Sequence, residues 1–193
     1  MIKIGLTGGI GSGKSVVAVL FGIMGIPVYM ADEESKQLTQ ASAVIREGLI
    51  DLFGERIYPG GVLDKNYLAS LIFTDAEYLR RVNAIIHPEV NRHFLAWAMS
   101  RETALCAIET AILFESGFDK SVDVSVMVYA PLGVRIQRVT ARDNTSYEEV
   151  ARRVKSQLPD ETKKERSDYV IYNDGKQALI PQVEAFLRFI RRC

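Results

Sequence analysis

Gly8, four intervening residues, and then Gly13-Lys14-Ser15 fit the spacing G-x-x-x-x-G-K-[ST]. The residue types define the chemistry. Glycines let backbone N–H groups converge on the oxygens of an anion, and a helix that starts directly after them adds the positive end of its dipole. A lysine at that point brings a full charge to the β- and γ-phosphates of a nucleotide, and the following serine hydroxyl is a ligand for Mg²⁺. A guanine-nucleotide switch would also carry an N-K-x-D stretch for the base. Asn66 precedes Tyr67 and Asn144 precedes Thr145, and no such stretch occurs.

Other residues are candidates for the remaining steps of a phosphoryl transfer. Asp32 ends a short apolar run; a carboxylate there accepts the proton of an attacking hydroxyl, holds a metal-bound water, or caps a helix that begins at Glu33. Arg138 and Arg142 stand four apart and share a face of one predicted helix, with Arg152 and Arg153 on the next. Cations on a mobile lid stabilise migrating charge and exclude water, whereas the plain reading of any one arginine is a solvated helix surface. His87, before Pro88, is either a structural hydrogen-bonding group or an acceptor contact. Glu115 contacts an acceptor or a metal-bound water, or caps a helix.

The elements that must position these groups follow from apolar periodicity. Ile2 to Leu6 reads as a buried strand, Lys14 to Met24 as a helix ended by Gly25, and Val28 to Ala31 as a second strand opened by Pro27. Glu33 to Phe53 reads as mostly helical and closed by Gly54, followed by a turn cluster at Tyr58 to Gly61. Further helices are expected over Asp64 to Phe73 and over Asp75 to Met99, the latter with Pro88 as a candidate break point. Leu105 to Leu113 and Val124 to Ala130 are β-capable; Leu132 to Arg142 and Tyr147 to Leu158 are amphipathic and arginine-rich. Tyr169 to Tyr172 is a last strand and Gln177 to Arg191 a closing helix. Five apolar strands interleaved with helices predict a parallel sheet covered on both faces. Ligands of such sheets bind beyond the carboxyl ends of the strands, which makes Gly8 to Ser15, Asp32, Glu115, Pro131 and Asn173 expected neighbours.

Composition narrows the partners. The 193 residues are 48% hydrophobic and 25% charged, with 24 Lys plus Arg against 24 Asp plus Glu. Zero formal net charge gives no global field for nucleic acid or an anionic membrane, so any anion site is local. Cys106 and Cys193 have no metal-ligand spacing and suggest no disulfide framework, which fits a reduced, cytoplasmic protein. The uncharged stretch from Ser15 to Ala31 is interrupted by Gly22, Gly25 and Pro27, and the N-terminus lacks signal-peptide features.

Taken in order, "IGLTGGIGSGKS" at the start, "VYMAD" at 28 to 32, "GVLDKNYLASLIF" at 61 to 73, "IIHPEV" at 85 to 90, "AILFESG" at 111 to 117, "VRIQRVTARD" at 134 to 143, "RVKSQ" at 153 to 157 and "SDYVIYNDG" at 167 to 175 resemble the dephospho-coenzyme A kinase family over nearly the whole chain. The resemblance implies a P-loop NTPase fold, a three-layer α/β/α arrangement on a five-stranded parallel sheet. It implies one domain made of a core (about 1–32, 101–131 and 167–193), an inserted helical acceptor-binding region (about 33–100) and a lid (about 132–166). The implied reaction is Mg²⁺-dependent transfer from ATP to the ribose 3′-hydroxyl of dephospho-CoA, the last step of coenzyme A synthesis.

By the same resemblance Asp32 is the activating carboxylate, Lys14, Arg138 and Arg142 are catalytic cations, and Ser15 is the metal ligand. Gly8, Gly9, Ile10, Gly11, Ser12, Gly13, Lys14, Ser15, Val16 and Asn173 contact the nucleotide, while Asp32, His87 and Glu115 contact the acceptor. Four positions depart from the family pattern: Val16 replaces a threonine, Met30 an acidic residue, Ala111 a proline and Lys65 an arginine. The change at Met30 leaves Asp32 as the one carboxylate of the "VYMAD" stretch.

Overall fold

Strands that are apolar along their whole length can satisfy their backbones only by pairing where both faces are covered. In the computed structural model, which describes residues 1–191, the expected five runs do this as β1 (Ile2–Thr7), β2 (Val28–Met30), β3 (Leu105–Glu109), β4 (Val124–Tyr129) and β5 (Tyr169–Tyr172). Their order is β2-β3-β1-β4-β5 and every neighbouring pair is parallel. The α-helices among the described residues are α1 (Lys14–Ile23), α2 (Ala31–Ala41), α3 (Ala43–Phe53), α4 (Lys65–Thr74), α5 (Ala76–Met99), α6 (Leu132–Asp143), α7 (Tyr147–Lys155), α8 (Asp160–Arg166) and α9 (Leu179–Ile190).

The chain divides into two compact units, Met1–Met30 with the chain from Arg101 onward, and Ala31–Ser100. In the first, Ile4 and Leu6 of β1, Ala107 of β3, Val126 and Val128 of β4 and Ile171 of β5 share one core with Val17, Ala18 and Phe21 of α1 and Val183, Phe186 and Ile190 of α9. Gly5, pointing to the opposite face, has no side chain because Leu113 occupies the space: a Cβ there would lie 2.8 Å from Leu113 Cδ2. The connections leaving β1 and β3 therefore cover opposite faces. The crevice between the carboxyl ends of those two strands is the topological switch point, where open parallel sheets bind ligands.

Several expected boundaries in this unit shift. The strand expected over Leu105 to Leu113 stops at Glu109, where Thr110 N–H donates to Leu6 O at 3.0 Å and Thr110 Oγ1 accepts from Ile112 N at 3.2 Å, turning the chain across the sheet. The helix expected over Tyr147 to Leu158 ends at Lys155, and α8 follows as a separate helix. Its ends carry the dipole-matched charges of a true helix, Asp160 and Glu161 first, then Lys163, Lys164 and Arg166.

The second unit packs α2 to α5 around Ile45, Leu49, Ile57, Tyr58, Leu63, Leu68 and Val82. The mostly helical stretch expected over Glu33 to Phe53 consists of two helices. Ser42 breaks it and caps α3, its Oγ accepting from Ile45 N at 3.4 Å and donating to Glu89 Oε1 at 2.8 Å. Glu89, buried on α5, is also bound by Arg92 at 2.8 Å, and that bond above all holds its carboxyl down to about 2. Helix α5 runs through Pro88, the candidate break point, without interruption. Ala31 is already helical, so the second strand is one residue shorter than expected and Asp32 is inside the first turn of α2, which removes its reading as an N-cap.

Candidate active site

The phosphate loop is built by close backbone approaches that only glycine allows at two positions. Gly8, at φ 146°, passes so near β4 that a Cβ would lie 2.3 Å from Val128 O. Gly13 opens α1 in the left-handed region at φ 92°, and a Cβ there would meet Asn173 Nδ2 at 2.1 Å. Within the loop, Ser12 N–H donates to Gly9 O at 3.0 Å. The first helical bonds into the loop come from Val16 and Val17, both to Gly13 O, at 3.0 and 3.3 Å. The N–H groups of Lys14 and Ser15 precede that ladder and face out of the helix end, the arrangement that binds anions.

Lys14 Nζ lies 3.1 Å from Glu109 Oε1, and both side chains are largely buried. Register explains the meeting: Glu109 is the last residue of β3, opposite Leu6 of β1, so its carboxylate lies at the switch point where α1 begins. A polyphosphate at the loop would compete with Glu109 for the ammonium. Glu109 was not among the sequence candidates; the available signal was an acidic residue closing the buried run "LCAIE" at a strand's carboxyl end.

Asn173 follows β5 and braces the loop. Its N–H donates to Tyr129 O at 2.7 Å, its Nδ2 to Ser12 O at 2.8 Å, and its own carbonyl accepts from Arg138 Nη2 at 3.0 Å. Arg138 Nη1 is buried without a hydrogen bond among the described residues. Arg142 is 63% exposed and binds Asp143 at 2.7 and 3.1 Å; Arg153 holds the same carboxylate at 3.0 Å. The Arg142 bond is the main reason that the Asp143 carboxyl is held low.

Glu115 serves as a tie inside the sheet-bearing unit: its Oε1 accepts from Leu158 N at 2.8 Å and lies 2.9 Å from Lys163 Nζ. Lys163 is fully buried, burial lowers its pKa, and its ammonium also donates to Ala111 O at 2.5 Å. The residue that replaces the family's proline thus contributes a carbonyl that a buried lysine uses. Val16 is half exposed, and Met30 packs on the sheet core. In the other unit, Asp32 is exposed in the first turn of α2 beside Glu33 and Glu34, and His87 lies on α5 with its pKa lowered by burial. Among the described residues there is no group of three His, Cys, Asp or Glu side chains fit to hold a metal alone. The Ser15 hydroxyl at the start of α1 is a hard oxygen donor of the type that Mg²⁺ accepts alongside phosphate and water.

Among the described residues no helix is long and apolar enough to cross a membrane. Cys106 is a buried free thiol with its pKa raised by burial, and Cys193 lies outside the described residues.

The dephospho-CoA kinase family model matches residues 2–178. A dephospho-CoA kinase of Bacteroides fragilis strain YCH46 is 50% identical over 190 residues, covering 98% of this chain and 93% of that protein. A crystal structure from Thermus thermophilus superposes with a TM-score of 0.83 at 36% identity, covering 99% of this chain and 96% of that one. Shikimate kinase of Acinetobacter baumannii shares the fold, with a TM-score of 0.57 at 19% identity over 100% of this chain and 94% of that one. With a phosphate loop at the switch point of a five-stranded parallel sheet and these relatives along nearly its full length, the chain belongs to the dephospho-CoA kinase family.

Proposed function

We propose that this chain transfers the γ-phosphoryl group of ATP to the ribose 3′-hydroxyl of dephospho-CoA, giving ADP and coenzyme A. The observation that carries the reading is Lys14, held by Glu109 at the start of α1 behind a glycine loop, in a chain of this family. The 3′-oxygen attacks the γ-phosphorus in line; that O–P bond forms as the bond to the β–γ bridging oxygen breaks, and Asp32 accepts the hydroxyl proton. Lys14 leaves Glu109 for the phosphates, and Arg138 and Arg142 meet the charge that develops on the migrating group. The Ser15 hydroxyl would hold a Mg²⁺ ion, which would supply charge neutralisation to the phosphates.

The phosphate loop from Gly8 to Val16 wraps the triphosphate and offers it the N–H groups not already bonded within the fold, among them those of Lys14 and Ser15; Asn173 contacts the adenine side, and His87 and Glu115 contact the acceptor. The helical unit Ala31–Ser100 receives dephospho-CoA, and α6 to α8 act as the lid. The buried free thiol of Cys106 suits a reducing cytoplasm.

The test is ATP turnover with Mg²⁺ and dephospho-CoA, adenosine, AMP or no acceptor, with mass spectrometry of the products. One phosphate gained by dephospho-CoA alone is the expected result; ATP bound with no acceptor phosphorylated, or another acceptor preferred, overturns the reading. Lys14→Ala and Asp32→Asn should each lower kcat by about 10²-fold or more while the protein stays folded, the usual scale for a lost charge-stabilising or general-base group. Near-normal kcat in Asp32→Asn removes Asp32 from the proton transfer.

A further inference from the structure

Ile10, at the tip of the phosphate loop, is held from three directions by the segment that follows β4. Its N–H donates to Gln157 Oε1 at 3.1 Å and its carbonyl accepts from Arg135 Nη1 at 3.2 Å. Its side chain packs against the cluster of Ile136, Val139 and Val150. Arg135 comes from α6 and Gln157 from the turn between α7 and α8, so two separate parts of the α6 to α8 segment grip the same residue.

The grip is itself anchored. Arg135 is only 3% exposed, and a guanidinium that deep needs a counter-charge; Asp160, the first residue of α8, supplies it through a short hydrogen bond to Arg135 Nη2. On the other side of Gln157, Glu115 binds Leu158 N–H and the buried Lys163, which fixes the turn that carries Gln157. Meanwhile the loop's own closure needs none of this. The bonds Ser12 to Gly9 and Val16 to Gly13 are local and would close the loop alone. What Arg135 and Gln157 add is the orientation of the two peptide planes that meet at Ile10. Donors oriented in advance cost nothing to reorganise when an anion arrives, and that saving appears as affinity.

We propose that Arg135 and Gln157 are positioning residues for nucleotide binding, locking both peptides at Ile10 so that the phosphate loop holds its anion-binding shape before ATP arrives. The inference rests on the ATP-binding reading above. It assigns the two side chains to ground-state binding of ATP, leaving the acceptor and the phosphoryl transfer step untouched.

The experiment combines hydrogen exchange at the Ile10 amide in nucleotide-free protein with ATP binding and steady-state kinetics. Gln157→Ala removes the acceptor of the Ile10 N–H; Gln157→Glu keeps one. Arg135→Lys keeps the charge beside Asp160, but a single ammonium cannot span Asp160 and Ile10 O as the forked guanidinium does. Gln157→Ala should speed Ile10 exchange and weaken the ATP Kd about three- to tenfold, the scale of one hydrogen bond, with kcat and the KM for dephospho-CoA unchanged. Arg135→Lys should shift the ATP Kd in the same direction, and Gln157→Glu, which keeps an acceptor but adds a negative charge beside the anion site, should restore slow Ile10 exchange without restoring the ATP Kd. Faster Ile10 exchange with an unchanged or tighter ATP Kd overturns this proposal alone, as does parallel loss of ATP and acceptor binding together with a lowered Tm. Wild-type protein that binds no ATP overturns the earlier reading and this one with it.

Discussion

The segment after β4 carries its cations in two settings. At its root, Arg135 with Asp160 and Lys163 with Glu115 are ion pairs whose cations are out of water. At its far end, Arg142 and Arg153 share Asp143 with both guanidinium groups more than half exposed. Breaking a buried pair leaves a charge with no compensation, so such pairs hold a geometry in place. An exposed pair is worth about 0–1 kcal/mol, so a guanidinium there can exchange a carboxylate for a phosphate at little cost. The difference separates cations that fix the root of this segment from cations free to exchange partners.

The largest test of that division is Lys163→Ala, which strands Glu115 and should lower stability by about 3–5 kcal/mol in denaturant unfolding. Adding Glu115→Gln should recover much of the loss by removing the stranded charge; a double variant no better than the single one would show that Lys163 acts through packing alone. Next comes Arg142→Ala, expected to lower kcat/KM for ATP about ten- to hundredfold, or about 1.4–2.7 kcal/mol, with stability changed by less than about 0.5 kcal/mol. If Arg142→Ala instead lowers Tm and spares kcat/KM, the two settings do not differ as described.

The smallest test carries the same contrast into the helical unit. Glu89 is buried between Ser42 and Arg92, whereas Glu77 is paired with Arg80 on the surface. Because the folded Glu89 pKa is depressed from 4.5 to about 2, its stabilisation is complete above about pH 4.5 and is lost as pH falls toward 2. Glu89→Gln should therefore flatten the acid limb of the stability profile by about 1–2 kcal/mol, a figure discounted for the exposed side of Arg92. Glu77→Gln should leave that limb as it is. Equal effects from the two would mean that burial adds nothing to the Arg92 bond.

Local features were readable from the chain, and long-range pairings were not. Gly8 through Ser15 announced themselves because loop conformation, charge and helix start are encoded within eight consecutive residues. The five strands followed from apolar runs, yet "LCAIETAIL" read as one strand because periodicity cannot see that Thr110 folds its hydroxyl back on Ile112. Ser42 was hidden as a helix break because its cap, a local bond from Ile45 N, lies inside a continuous helical pattern, and its bond to Glu89 joins residues 47 apart. Helix α8 did show its dipole-matched ends, and it was missed because the preceding arginine-rich run drew the helix out to Leu158. Glu109, Arg135, Asp160 and Lys163 gain their meaning only from partners brought close by the sheet.

The strand order also sets a timetable for the growing polypeptide. β1 pairs with β3 and β4, so Ile2 waits for Leu105 and Ile4 for Val124 before either edge of the first strand is covered. At about 5–20 residues per second, the ribosome leaves that strand and the glycine loop unpartnered for roughly 5–20 s. During that interval the whole of Ala31–Ser100 has emerged with an apolar core of its own. The helical unit can thus collapse first, and the phosphate loop gains its outside braces only once Val128, Arg135 and Asn173 have followed it out of the exit tunnel.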